Sequence, residues 1–136
     1  LYVCGMYSWA GSATEPGGLY RLRSTGQPWL LPVGLSAQRS GIELEFAEPL
    51  MRDSIGPDKF AISTWSLRRT ANYGSEHHDQ RTLKVRSTEL SPDGKRVQLD
   101  IDGLSPTWCM EIRYNLQSQQ GQPVRGKIHN TIHVLR

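Results

Sequence analysis

The sequence is poor in the residues that build metal and redox centres. It contains two cysteines, Cys4 and Cys109, with no Cys-x-x-Cys pair, no zinc-ligand spacing and no Cys-x-x-Cys-His motif for haem attachment. We therefore expect no cofactor within this chain. The two thiols lie far apart in sequence, so they either form a disulfide, which requires the N-terminal residues to fold onto the later strands, or stay free.

Long apolar runs and blocks of basic residues are also missing. No stretch approaches the roughly 20 apolar residues of a membrane-spanning helix, and no apolar period typical of a long helix is present. The formal net charge is only +3, with the basic residues dispersed along the chain, whereas nucleic-acid-binding proteins gather them in a dense stripe. We expect neither a membrane span nor a nucleic-acid partner.

The common catalytic patterns are absent as well. No serine lies in a Gly-x-Ser-x-Gly elbow, and neither cysteine has a histidine beside it in sequence. Paired carboxylates occur, as in Glu43 with Glu45 and Asp100 with Asp102, but at the spacing of the wet face of a strand. We predict no catalytic residue and no enzyme activity within this chain.

What the sequence does contain is a regular hairpin between Leu83 and Asp102. Every second position of its second arm is apolar: Val97, Leu99 and Ile101. A period of two indicates a strand with one buried face and one wet face. The connection Ser91-Pro-Asp-Gly-Lys95 is a turn, in which Pro92 presets φ and Gly94 supplies the positive φ needed to re-enter a strand.

About seven short strands, separated by turn signals, can be counted from Trp29 to the end of the chain. The alternation recurs in Ile42–Phe46, Phe60–Leu67 and Trp108–Tyr114, and a final strand is predicted over Val124–Leu135. Seven short strands in about a hundred residues favour an immunoglobulin-like antiparallel β-sandwich over a barrel. The sequence therefore predicts an all-β domain over residues 29–136.

Residues 1–28 are predicted to form a separate β-hairpin. Two short strands, Leu1–Met6 and Leu19–Arg23, flank a loop rich in glycine and other small residues. A two-stranded hairpin is marginal alone, and the chain opens within a strand without an initiator methionine. We expect the chain to be a piece of a larger protein, with any signal sequence upstream of it.

Candidate interaction residues lie in and beside the least regular stretch, residues 68–80. They are Trp65, Arg69, Asn72, Tyr73, His77 and His78. Adjacent histidines bind one metal ion only from a loop, because neighbours on a strand point to opposite faces, so a polar loop tip is the preferred interpretation. Trp65 either anchors that loop, the preferred alternative, or heads a sugar-binding patch, and Trp108 is assigned to the core on the alternation it shares with Met110.

Several stretches resemble a known domain arrangement. Residues 1–28 resemble the closing propeller blade of secreted glucose/sorbosone-dehydrogenase-like proteins, in the cytochrome-c-fused multidomain forms of planctomycete-type bacteria. The resemblance lies in Leu1-Tyr-Val-Cys-Gly-Met6, Trp9 and Gly17-Gly-Leu-Tyr-Arg-Leu-Arg-Ser-Thr-Gly-Gln-Pro28. Five later stretches resemble the sandwich domain that follows that propeller: Leu31-Pro-Val-Gly-Leu35, Gly41-Ile-Glu-Leu-Glu-Phe-Ala-Glu-Pro-Leu50, Trp65 with Arg69-Thr-Ala-Asn-Tyr-Gly-Ser75, Leu90-Ser-Pro-Asp-Gly-Lys95 and Ile128-His-Asn-Thr-Ile-His133.

The resemblance implies a non-catalytic accessory module in a periplasmic or secreted protein. Its partners would be the other domains of the same polypeptide, a propeller and cytochrome c modules, which would carry the redox chemistry. Two alternatives stay open. One is a carbohydrate-binding module that uses the loop around Trp65 and Tyr73; the other is a fragment whose His77 and His78 complete an oxidoreductase site built upstream.

Overall fold

The computed structural model describes residues 1–6 and 17–136, and this part of the chain folds into ten antiparallel strands and two 3-10 turns. In chain order these are β1 (Tyr2–Met6), β2 (Gly17–Arg21), β3 (Pro32–Gln38), β4 (Gly41–Phe46), η1 (Arg52–Ser54), η2 (Pro57–Lys59), β5 (Phe60–Ser66), β6 (His78–Leu83), β7 (Val85–Leu90), β8 (Arg96–Ile101), β9 (Thr107–Gln117) and β10 (Pro123–Ile132). No helix in the described ranges is long and apolar enough to cross a membrane.

Strands β3 to β10 form two four-stranded sheets. One sheet has the order β3-β4-β8-β7 and the other the order β10-β9-β5-β6. With the strands renamed A to G, these are the ABED and GFCC′ sheets of the immunoglobulin fold. The predicted immunoglobulin-like antiparallel sandwich is confirmed.

The structure has eight strands in this sandwich where the alternation indicated about seven. The additional strand is β6, which begins at His78 inside the stretch that looked irregular. Its residues are exposed apart from the two ends, because it is an edge strand of its sheet. With no buried row on either face, β6 carries no period of two for the sequence to reveal, so His78 starts a strand and only His77 belongs to the loop.

The core lies between the two sheets and is built from the alternating residues of each. The most deeply buried side chains are Ile42, Leu44 and Phe46 of β4, Val97 and Leu99 of β8, Ile62 of β5, and Met110, Ile112 and Leu116 of β9. The predicted hairpin is present as β7 and β8, and Gly94 in its turn has a φ of 74°. Burial of these apolar side chains is the main stabilising term of the domain.

The assignment of Trp108 to the core is wrong. Trp108 is 72 % exposed, although Met110, two residues along the same strand, is 1 % exposed. The pairing of β5 with β9 ends at Trp65 opposite Cys109, and β10 shifts register between Asn130 and Ile132. Trp108 therefore lies beyond the last pair with β5 and within the irregularity of the β9–β10 pairing, where the alternation of buried and exposed residues is broken.

The hairpin of β1 and β2 forms a sheet of its own. Leu1, Leu19 and Tyr2 of this hairpin are exposed, at 82 %, 75 % and 66 %. Cys4, on β1, and Cys109, on β9, are both free thiols. The loop between β1 and β2, including Trp9, lies outside the described residues.

Candidate functional site

Trp65 lies at the end of β5 and points away from the core. It is opposite Cys109 of β9, while the preceding apolar residues Phe60 and Ile62 face inward. The indole stacks on the imidazole of His77, with ring centroids 4.2 Å apart and an interplanar angle of 15°. Trp65 therefore holds the end of the loop that leads into β6 against the outer face of the sheet.

A charged cluster on the same outer face positions a second histidine against Trp65. The Glu111 carboxylate accepts a hydrogen bond from Arg113 Nε at 2.6 Å and lies 3.0 Å from His129 Nε2 and 4.0 Å from Lys127 Nζ. The edge of the Trp65 ring faces His129, with centroids 6.2 Å apart and planes at 78°. The hydrogen bond from Arg113 holds the pKa of Glu111 below its ordinary value.

Trp65 and Trp108 both border a groove of about 370 Å³ that opens at the end of the sandwich. We call this groove the aromatic groove. Its remaining lining is polar except for Pro106: Thr64, Ser66, Asp79, Arg81, Ser105 and Thr107. The two tryptophans also border a second depression of about 220 Å³ that includes His129 and Asn130.

Trp108 is fixed by its neighbours in spite of its exposure. Its ring meets the ring of His133 edge to face, with centroids 6.0 Å apart and planes at 88°. Thr131 Oγ1 donates a hydrogen bond of 2.7 Å to the Trp108 carbonyl oxygen. The hydrogen bond fixes the backbone at Trp108, and the His133 contact leaves most of the flat indole surface open to solvent.

Asp79, a polar residue at the rim of the aromatic groove, has a strained backbone conformation. Its φ is 53°, a left-handed value that no other non-glycine residue adopts in the described part of the chain. Ser66 Oγ donates a 2.8 Å hydrogen bond to its carboxylate, and Arg68 lies 3.8 Å away. Asp tolerates this conformation better than most residues, and such strain is concentrated at functional sites.

The residues predicted from the sequence divide into two places. Trp65 and His77 meet, as described above, whereas Asn72, Tyr73 and His78 line a separate depression of about 630 Å³ within the loop before β6. Tyr73 is fully exposed, and Arg69 is exposed on the same loop. The structure thus separates Trp65 from Tyr73, the two aromatic residues that the sequence assigned to one patch.

Sequence reasoning missed four residues that line the grooves: Asp79, Arg81, Trp108 and His129. Alternation placed Trp108 in the core, and no local pattern reveals where the pairing of two distant strands ends. Within the described ranges, 1–6 and 17–136, no group of three or more His, Cys, Asp or Glu side chains could hold a metal ion.

In comparisons with known proteins the chain matches no family model, and no curated protein or solved structure matches it. The resemblance to the sandwich domain of sorbosone-dehydrogenase-like proteins therefore stays a prediction.

Proposed function

We propose that this chain is a non-catalytic, immunoglobulin-like accessory module of a larger periplasmic or secreted redox protein. In that protein it packs between a propeller and neighbouring modules, with residues 1–28 as a terminal hairpin and residues 29–136 as the sandwich domain. The observation that carries the proposal is the concentration of exposed apolar side chains near the N-terminus.

Ten of the fourteen large hydrophobic side chains that are exposed in the described residues precede residue 36. They are Leu1, Tyr2, Val3, Leu19, Tyr20, Leu22, Trp29, Leu31, Val33 and Leu35. We call the described residues up to Leu35 the N-terminal segment. Large exposed apolar areas mark interaction sites, and a two-stranded hairpin needs a neighbouring layer for stability. Adjacent strands of a propeller blade would supply that layer.

The charges near the aromatic groove support a role without catalysis. A general acid or base works best with a pKa near the working pH. The pKa of Glu111 is instead lowered, chiefly by its hydrogen bond from Arg113, so the carboxylate stays ionised and acts as a structural acceptor. The His77 ring is stacked on Trp65 and serves packing.

Two measurements test the accessory role. Thermal unfolding of residues 29–136 alone should be cooperative and should occur within a few degrees of the full chain, since the core lies between Ile42 and Ile132. A chain of residues 29–136 that shows no cooperative transition would overturn the proposed boundary.

The second measurement is self-association of the full chain by analytical ultracentrifugation. The double variant Leu19→Ser with Leu22→Ser should associate less than the wild type, because it removes exposed apolar surface from the N-terminal segment. The matched control, Leu67→Ser with Val134→Ser, removes two equally exposed residues outside that segment. If the control reduces association as much as the double variant, the N-terminal segment is not the docking surface.

A further inference from the structure

We propose that the aromatic groove binds a neutral glycan, with Trp108 as the platform on which a sugar ring stacks. This goes beyond an accessory role, because a module can space other domains without binding a ligand. It also differs from a patch around Trp65 and Tyr73, because the structure places Trp65 beside Trp108 and leaves Tyr73 in another depression.

Trp108 is the residue of the groove on which the proposal chiefly rests. It is 72 % exposed, and it borders three depressions, of about 370, 220 and 200 Å³. A tryptophan held by His133 and exposed on its remaining surface offers an electron-rich face. The C–H bonds on one side of a pyranose ring carry partial positive charge and pack against such a face.

The polar rim fits a ligand covered with hydroxyl groups. Four hydroxyl side chains line the groove, Thr64, Ser66, Ser105 and Thr107, and each can accept a hydrogen bond. Ser66 and Thr107 already donate their protons to Asp79 and to the Cys109 carbonyl oxygen, which leaves Thr64 and Ser105 as donors. The two charged groups of the lining are Asp79 and Arg81, whose formal charges cancel. This balance of charge fits an uncharged ligand. An apolar surface with a few directed polar groups is also the usual composition of a small-ligand site.

The groove is built before any ligand arrives. Trp65 is held between His77 and His129, and Asp79 is held in its left-handed conformation by Ser66 and Arg68. A preorganised site loses little conformational entropy on binding.

Other classes of partner fit this groove less well. Nucleic acid requires several cations along a backbone, and the aromatic groove has one arginine balanced by one carboxylate. A protein partner is better matched to the N-terminal segment, where the exposed residues are mostly aliphatic.

The test is affinity gel electrophoresis of the full chain in gels that contain xylan, mannan, a mixed-linkage β-glucan or hydroxyethyl cellulose. At least one of these polysaccharides should retard the wild type. Trp108→Ala should weaken that binding at least tenfold, and Trp108→Phe should retain part of it, since a smaller aromatic ring still stacks. The control Trp29→Ala removes another exposed tryptophan, 62 % exposed and outside the groove, and should bind as the wild type does.

Several outcomes would overturn the proposal. These are no retardation by any of the four polysaccharides, equal binding by Trp108→Ala and the wild type, or equal losses in Trp108→Ala and Trp29→Ala. Retardation only in heparin gels, abolished by added salt, would indicate a charge-driven contact instead. If Trp108→Ala unfolds, Arg81→Gln replaces it as the test variant. Arg81 is exposed, so this substitution keeps the core intact, and it should also weaken binding of the polysaccharide.

Discussion

The hairpin of β1 and β2 and the sandwich both contain apolar strands, but the buried apolar side chains of the described residues all belong to the sandwich. In the described residues every buried hydrophobic side chain lies between Ile42 and Ile132, whereas most exposed ones precede residue 36. In the sandwich each apolar row of one sheet meets an apolar row of the other. Among residues 1–6 and 17–136, no second layer faces the hairpin of β1 and β2.

The difference shows that strands can pair without contributing to the core. Strands β1 and β2 are joined by five registered pairs, from Tyr2 opposite Arg21 to Met6 opposite Gly17. Stability requires two packed layers, which the eight strands of the sandwich provide. The sandwich should therefore respond strongly to changes in its interior, and the hairpin only weakly.

The largest effect is expected from Ile112→Ala at the centre of β9. Ile112 is fully buried, and truncation of a buried isoleucine removes burial and leaves a cavity, at a cost of about 2–5 kcal/mol. Urea unfolding measures the loss. The control Asn115→Ala, at an exposed position of the same strand, should change the free energy of unfolding by less than about 0.5 kcal/mol, and equal losses in the two variants would contradict the assigned core.

Gly126→Ala on β10 should cost about 1–3 kcal/mol through overpacking. A Cβ atom at this position would lie 2.6 Å from the hydroxyl oxygen and 3.1 Å from Cζ of Tyr114. The ring of Tyr114 is itself packed against Phe46, with centroids 5.7 Å apart, so it cannot withdraw freely.

A double-mutant cycle isolates this contact. Tyr114→Phe removes the nearest atom and should recover part of the stability lost in Gly126→Ala. Arg125→Ala, an exposed neighbour, is the control for substitution on the same strand. Losses that add without recovery would show that the Gly126–Tyr114 contact is not the cause.

Glu111→Gln tests a surface ion cluster, where a smaller effect is expected. The pKa of Glu111 in the folded state is lowered from its ordinary value of 4.5, mainly by Arg113. A lowered pKa stabilises the folded state above the unfolded-state pKa, and this contribution is lost as the pH falls through the folded-state pKa. The stability difference between wild type and variant should therefore be present at neutral pH, begin to decline near pH 4.5 and vanish once the pH is below the lowered folded-state pKa. A difference that persists unchanged in acid would exclude the titration of Glu111 as its source.

The smallest effect is expected from Leu19→Ser in β2. Leu19 is 75 % exposed, so its replacement should change the free energy of unfolding by less than about 0.5 kcal/mol. Urea unfolding under the conditions used for Ile112→Ala gives the comparison. A loss approaching that of Ile112→Ala would mean that the hairpin belongs to the cooperative core.

The parts of the fold that could be predicted are those with local signals. The hairpin of β7 and β8 combines a period of two with a Pro-Asp-Gly turn, and both are short-range features. Strand β6 escaped prediction because an exposed edge strand has no buried row. Trp108 was misplaced because its burial depends on where β5 stops pairing with β9 and where the register of β10 shifts, and both are set by pairing between distant residues.

The candidate site was harder to predict than the fold for the same reason. The contact of Trp65 with His129 depends on the register of β5, β9 and β10, in which Trp65 lies opposite Cys109 and His129 opposite Glu111. Trp65 and His77 are near neighbours in sequence, and the sequence did select both. Asp79 and Arg81 lie on β6, the strand that carried no pattern.

Amide hydrogen exchange of the full chain tests most directly whether the two regions are independent. The amides of β4, β8 and β9 should exchange only through global unfolding, and those of β1 and β2 should exchange through local opening at a much lower free energy. Protection of β1 and β2 as strong as that of β9 would contradict the account, because the hairpin would then share the stability of the sandwich.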